Sequence, residues 1–300
     1  MIEVIGLSKN YNDIQAVDNI TATIQEGSVF GLVGTNGAGK STFLRMLCGV
    51  LKPAKGQILV DGEDIYENED AKKKVFYISD DQYYFANGTP YDMKKYYEKV
   101  YENFDNDEFF TLMIKFGLQG NRKINTFSKG MKKQLAVILG ICAKTKYLLC
   151  DETFDGLDPV MRQAVKSIFI AEMEDRGMTP VIASHNLREL EDICDHVGLL
   201  HKGGILLSKD LEEMKLSLHK IQCVFTDEEG KKQLLEAVKP IKTEQRGSLY
   251  TLTIRGTREE LEKNLSSVET VFSEIIPLSL EEIFISETEV VGYDIKSLIL

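Results

Sequence analysis

One run of the chain, Gly34-Thr35-Asn36-Gly37-Ala38-Gly39-Lys40-Ser41, has the make-up of a phosphate cradle. It fits the spacing G-x-x-x-x-G-K-[ST] in full. Glycines let backbone N–H groups converge on phosphate oxygens with no Cβ in the way. A helix starting at the loop adds partial positive charge. Lys40 would reach the β- and γ-phosphates, and the Ser41 hydroxyl can ligate Mg²⁺. Thr42, the next residue, is counted with the loop.

A second run, Tyr147-Leu148-Leu149-Cys150, is apolar and ends in Asp151-Glu152. Acids at the C-terminal edge of a parallel strand face the crevice where α/β proteins bind ligands. Asp151 suits the Mg²⁺ shell, directly or through water. Glu152 is the candidate general base for an attacking water. Alone, two such acids would as readily be a solvated strand end. Downstream of a complete phosphate loop, they point to nucleotide hydrolysis.

The surrounding elements must hold these groups at one sheet edge. Strand-like and helix-like segments alternate to about residue 208, which predicts an α/β layer architecture. Ile2–Ile5, Ala22–Ile24 and Val29–Val33 read as strands, the last feeding the loop. Gly56–Gly62, with Ile58 and Val60 alternating, predicts a hairpin arm. From Pro90 to about Lys144 the pattern is helical, with Phe109, Phe110, Leu112, Met113 and Phe116 on one apolar face. Strands return at Tyr147–Cys150 and Pro180–Ser184. Between them a helix is predicted over Pro159–Arg176, with Val160, Ala164, Val165, Ile168 and Phe169 inward and Gly177 ending it. Beyond about residue 217 the pattern changes. His219–Thr226 and Ser248–Arg255 read as strands and Glu228–Val238 as a helix. Thr257 with Glu260, and Ser279 with Glu282, match capping boxes. Two domains are expected, 1–215 and a small α+β domain over 216–300.

The segment Ser128-Lys129-Gly130-Met131-Lys132-Lys133-Gln134 resembles the signature motif of ABC ATPases, usually written LSGGQ. Phe127 stands in the leucine's place, Lys129 in that of the first paired glycine, and Met131 in the glutamine's; Ser128 and Gly130 remain. The resemblance covers about residues 1–215. It implies a P-loop NTPase core with an antiparallel β arm and a helical subdomain near 90–144, binding ATP and Mg²⁺. It also implies that Tyr11 stacks on adenine. Asp158, in Gly156-Leu157-Asp158, resembles the D-loop acid, and His185, after Ser184, the switch histidine that senses the γ-phosphate. A head-to-tail dimer is implied, with a second copy or a similar ATPase subunit. Ser128 and Gly130 of one subunit would then close over the nucleotide on Lys40 of the other.

One position departs from the family. Its glutamine after the strand Val75–Ile78 is here Asp80, with Gln82 two residues later. An acid there can bind Mg²⁺ or water, so Asp80 joins Ser41 and Asp151 as a metal-side candidate. Tyr83, Tyr84, Phe85, Tyr91, Tyr96 and Tyr97 follow, where family members meet their membrane partner. A docking surface and an ordinary helix core with its rim account for them equally well.

The closing segment Pro277-Leu278-Ser279-Leu280-Glu281-Glu282-Ile283-Phe284 is similar to the tail of ATPase subunits in ABC-2-type exporters. That implies an efflux subunit working with a separate transmembrane permease, on the cytoplasmic face of the membrane. Two other readings remain. A soluble ABC ATPase of ribosomes or DNA usually has two cassettes or a long coiled coil, and this chain shows neither. A regulatory subunit with little turnover would fit the altered signature and Asp80.

Composition supports these expectations. The formal net charge of −11 disfavours nucleic acid, which needs clustered cations. The longest apolar run, Leu135–Ala143, falls well short of the roughly 18 to 20 residues that cross a bilayer. No direct membrane insertion and no secretory signal are expected. The 5 cysteines are scattered, as suits buried free thiols.

Overall fold

The computed structural model describes residues 1–290. The last ten positions of the expected 216–300 domain lie outside them.

The chain runs β1 (Ile2–Tyr11), β2 (Ile14–Ile24), β3 (Phe30–Val33), α1 (Lys40–Leu47), β4 (Lys55–Val60), β5 (Glu63–Asp64), α2 (Glu69–Lys73) and β6 (Val75–Ile78). Helices α3 (Pro90–Val100), α4 (Asn106–Lys115) and α5 (Lys129–Cys142) follow. The core then closes with β7 (Tyr147–Asp151), α6 (Pro159–Arg176), β8 (Thr179–Ser184), α7 (Leu187–Glu191), β9 (His196–His201) and β10 (Gly204–Asp210).

Two sheets build the first unit, Met1–Ser208. The central one has the order β10-β9-β3-β8-β7-β6, with β9, β3, β8, β7 and β6 parallel. Its strands β3, β7 and β8 are buried throughout, as expected for near-continuous apolar runs covered on both faces. The other sheet is the antiparallel arm β2-β1-β4-β5. Both arm strands are longer than the sequence pattern suggested, because register shifts in β1 break the simple alternation. Phe43, Leu44, Met46 and Leu47 of α1 join residues of both sheets in one core. The phosphate-loop helix is therefore locked between them.

Helix α6 has the predicted bounds, with Pro159 in its first turn and Gly177 left-handed at its end. Its apolar face is narrower than expected. Val165 and Phe169 are fully buried, but Val160 is 72% exposed. Buried Lys166 and Glu172 take part of the inward face instead, bonded to Asp192 and to Arg176 respectively. In α4, Phe109, Leu112 and Met113 are buried, whereas Phe110 is exposed and contacts Tyr91 and Phe109 edge-on.

The second unit begins at Lys209, ahead of the expected boundary at 215. It holds α8 (Leu211–Ser217), β11 (Leu218–Phe225), α9 (Glu228–Val238), β12 (Lys242–Arg246), β13 (Leu249–Arg255), α10 (Arg258–Ser266), β14 (Thr270–Ile276) and α11 (Leu280–Val290). Its sheet is antiparallel, in the order β12-β13-β11-β14. The edge strands β12 and β14 escaped the sequence reading. They are largely exposed and carry no buried alternating face to announce them. Both capping boxes form: Thr257 with Glu260, and Ser279 with Glu282. All 5 cysteines are free and buried.

Phe169→Ala is expected to destabilise the first unit by about 3–5 kcal/mol. Val160→Ala should stay within about 0.5 kcal/mol of the unchanged chain. Urea unfolding of the two variants checks the pair.

Candidate nucleotide-binding and hydrolysis site

Strand β3 ends at Val33, and the loop from Gly34 carries the chain into α1. Glycine is required at two points. A Cβ at Gly39, whose φ is +107°, would sit 2.2 Å from the Ala16 carbonyl oxygen; at Gly34 it would sit 2.5 Å from that of Leu200. Thr35, Asn36 and Gly37 form the exposed tip, Ala38 turns inward, and Ser41 and Thr42 lie in the first turn of α1. No side chain caps α1, so its first N–H groups stay available beside the loop.

Lys40 is only 5% exposed. Its Nζ donates to the Gly34 carbonyl at 2.7 Å and to that of Thr35 at 3.3 Å. It also pairs with Glu152 Oε1 at 3.2 Å. Glu152 follows β7 directly and has φ +48°. A non-glycine residue in that region is strained and persists only where its surroundings fix it. Its N–H donates to Ala183 O at 2.9 Å on neighbouring β8. Its Oε2 lies 2.9 Å from His185 Nδ1 and accepts from the His185 N–H at 3.4 Å. Parallel pairing of β7 with β8, with Asp151 opposite Ala183, brings these strand ends together. Lys40, Glu152 and His185 thus form one continuous chain of contacts.

Asp151 is buried beneath them. Its Oδ2 accepts from the Tyr77 hydroxyl of β6 at 2.9 Å, while Oδ1 is buried with no hydrogen-bond partner. Burial pushes this carboxyl's pKa up, and the nearby Ser41 and Tyr77 hydroxyls partly oppose the shift. A buried carboxylate oxygen with no donor suits a cation. Among the described residues, no group of three or more His, Cys, Asp or Glu could hold a metal by itself. Magnesium held largely by phosphates and water needs only one or two carboxylates.

Asp80 pairs with Lys133 Nζ of α5 at 3.1 Å. Gln82 folds onto its own turn, accepting from the Ser79 N–H at 3.1 Å. Ser128 caps α5, its Oγ accepting from the Met131 N–H at 3.2 Å. A Cβ on Gly130 would come within 3.1 Å of the Gly156 carbonyl oxygen. Asp158 caps α6 through the Met161 N–H at 2.9 Å. Tyr11 ends β1, partly exposed, with Lys9 Nζ 5.7 Å from its ring centre. Ser128 and Asp158 thus cap α5 and α6, and Gly130 lies close to the Gly156 carbonyl.

Two residues of the site were not singled out from the sequence, Tyr77 and Lys133. Tyr77 lies within a predicted strand, and its phenol is a polar group at a buried strand end. Lys133 carried a weak signal: it sits four residues after Lys129, on the same helical face.

Residues 17–155 match the family model described as ABC transporter. The chain is 31% identical over 287 residues to the ABC transporter ATP-binding protein YtrB of Bacillus subtilis, covering 96% of this chain and 98% of that one. It is 30% identical over 218 residues to the bacitracin transport ATP-binding protein BcrA of Bacillus licheniformis, covering 72% of this chain and 71% of that one. In fold it resembles the dimeric ATP-binding cassette MJ0796 bound to ADP and Pi. The TM-score is 0.63 at 19% identity, over 70% of this chain and 99% of that one.

Gly39→Ala is expected to weaken ATP binding at least about tenfold, because the added Cβ has neither room nor an allowed backbone. Lys40→Ala is expected to remove binding and turnover together. Titration with a fluorescent ATP analogue reads the first effect, and phosphate release adds the second.

Proposed function

The chain belongs to the family of ABC transporter ATP-binding subunits, and on that premise we propose that it powers efflux of a substrate through a separate membrane-spanning permease. It is an ATP-hydrolysing transporter subunit. The single observation that carries the residue assignment is the contact chain from Lys40 through Glu152 to His185.

In this reading the loop from Gly34 to Thr42 holds the ATP phosphates, and Lys40 exchanges Glu152 and backbone carbonyls for phosphate oxygens. Tyr11 stacks on adenine. Glu152, released from Lys40, accepts the proton of the attacking water, and His185 holds the γ-phosphate. Ser41, Asp151 and Asp80 would hold Mg²⁺, which would supply charge neutralisation at the phosphates. Phosphoryl transfer here depends mainly on positioning and electrostatics, which these fixed groups provide. Two subunits meet head to tail. Ser128 and Gly130 of one then face the nucleotide of the other, with Asp158 in the adjoining turn. The position of Ser128 and Gly130 at the N-terminal start of α5 supports that arrangement.

The permease docks beside Asp80. There a cleft of about 370 Å³ is lined by Asp81–Asn87, Ile124, Asn125 and Lys132. Tyr83, Phe85 and Tyr96 form an exposed edge-to-face series, with Tyr83 74% exposed. Tyr84 and Tyr97 turn inward, so the aromatic set divides between surface and packing. Among the described residues no helix is long and apolar enough to cross a membrane. The location is then the cytoplasmic membrane face, through the partner. What supports outward transport is the resemblance of the segment Pro277–Phe284 to the tail of ABC-2-type exporter subunits.

The test is affinity purification of the tagged chain from detergent-solubilised membranes, with mass spectrometry of co-eluting proteins. A polytopic membrane protein in stoichiometric amount is expected. Its absence, or recovery of ribosomal proteins instead, would contradict the transporter assignment.

A further inference from the structure

Lys133 is 5% exposed, and a buried ammonium is costly unless paired. It has two partners: the Asp80 carboxylate at 3.1 Å and the backbone carbonyl of Glu152. That carbonyl also accepts from the Asp155 N–H at 3.2 Å. One turn earlier on the same face of α5, Lys129 pairs with Asp155 Oδ2 at 2.9 Å. Helix α5 therefore grips the 152–155 turn at both ends. The Lys129 pair is well exposed and screened, whereas Lys133 is not.

We infer that Lys133 is a positioning residue for hydrolysis, tying Asp80, which stands where the family has glutamine, to the backbone of Glu152. This rests on Glu152 being the residue that activates water. Glu152 is held at φ +48°, which its neighbours must enforce. To the Lys40 pair and the Ala183 hydrogen bond, Lys133 adds a buried cation from α5 on the Glu152 carbonyl. The other end of the link reaches the proposed docking surface. Asp80 directly precedes the Asp81–Asn87 segment that lines that cleft, and Tyr84 is anchored to α5 by its hydroxyl donating to the Lys132 carbonyl at 2.6 Å. A shift of residues 80–87 on permease binding would move Asp80, then Lys133, then the turn that aims Glu152.

The test is ATP hydrolysis by the full chain purified with its membrane partner, with Lys40→Ala as the inactive reference. Wild-type turnover above that reference is expected; equal rates would overturn the hydrolytic assignment and this inference with it. Given turnover, Lys133→Met should lower kcat about 10- to 100-fold, since small misplacements of a reacting group cost that much. KM for ATP should stay within about threefold, as befits loss of positioning rather than of binding. Lys133→Arg, which keeps the cation, should recover part of the rate. Asp80→Asn should also slow turnover, and the double variant should be no slower than Lys133→Met alone. Where Lys133→Met does not fold, Lys133→Gln repeats the cycle with a side chain that can still donate to the carbonyl. Unchanged kcat in folded Lys133→Met, or in Lys133→Gln where that variant replaces it, would overturn the inference. Additive losses in the double variant would overturn it too.

Discussion

The burial of the Lys40 ammonium governs the rest of the site. A desolvated cation must be met by negative charge or carbonyl oxygens, and removing such a partner typically costs about 3–5 kcal/mol. Here two loop carbonyls and the Glu152 carboxylate meet it. The glycines let the loop carbonyls turn inward. The parallel pairing of β7 with β8 brings Glu152 and His185 to the same edge. A phosphate is the ligand that can replace all of these partners at once, because it supplies several anionic oxygens at a helix start. In the proposed mechanism, binding and catalysis share one event, in which Lys40 takes phosphate and Glu152 is freed.

The candidate site residues could be picked out in the sequence because each is bound to a local pattern. The phosphate loop is contiguous and has no side-chain alternative at Gly39. Asp151 and Glu152 close an apolar strand that could be read from its composition. The capping boxes at Thr257 and Ser279 announced helix starts through local hydrogen bonds. What could not be read was set by distant contacts. Val160 has the right helical phase for burial, but the inward face of α6 is shared with Lys166 and Glu172, which bond to Asp192 and Arg176. The partners of Asp80 depend on how the 79–82 turn meets α5. Edge strands β12 and β14 exist through their neighbours, since their own side chains bury little.

Two of the departures from the family pattern have a local account. Lys129, in place of a glycine, pairs with Asp155, and Asp80, in place of a glutamine, pairs with Lys133. Both partnerships converge on the turn that carries Glu152. Lys129 thus adds a charge contact between α5 and the 152–155 turn, and Asp80 adds one between α5 and the 79–82 turn.

The measurement that bears most directly on this account is the behaviour of Glu152→Gln. Its ATP affinity and its steady-state hydrolysis are compared with those of the unchanged chain in the purified transporter. The account expects ATP binding to persist while hydrolysis slows by about 10² to 10⁴-fold, the usual contribution of a general base. Turnover near that of the unchanged chain would contradict it. The contact chain from Lys40 to His185 would then be a structural ion pair, and the residue activating water would have to be sought elsewhere.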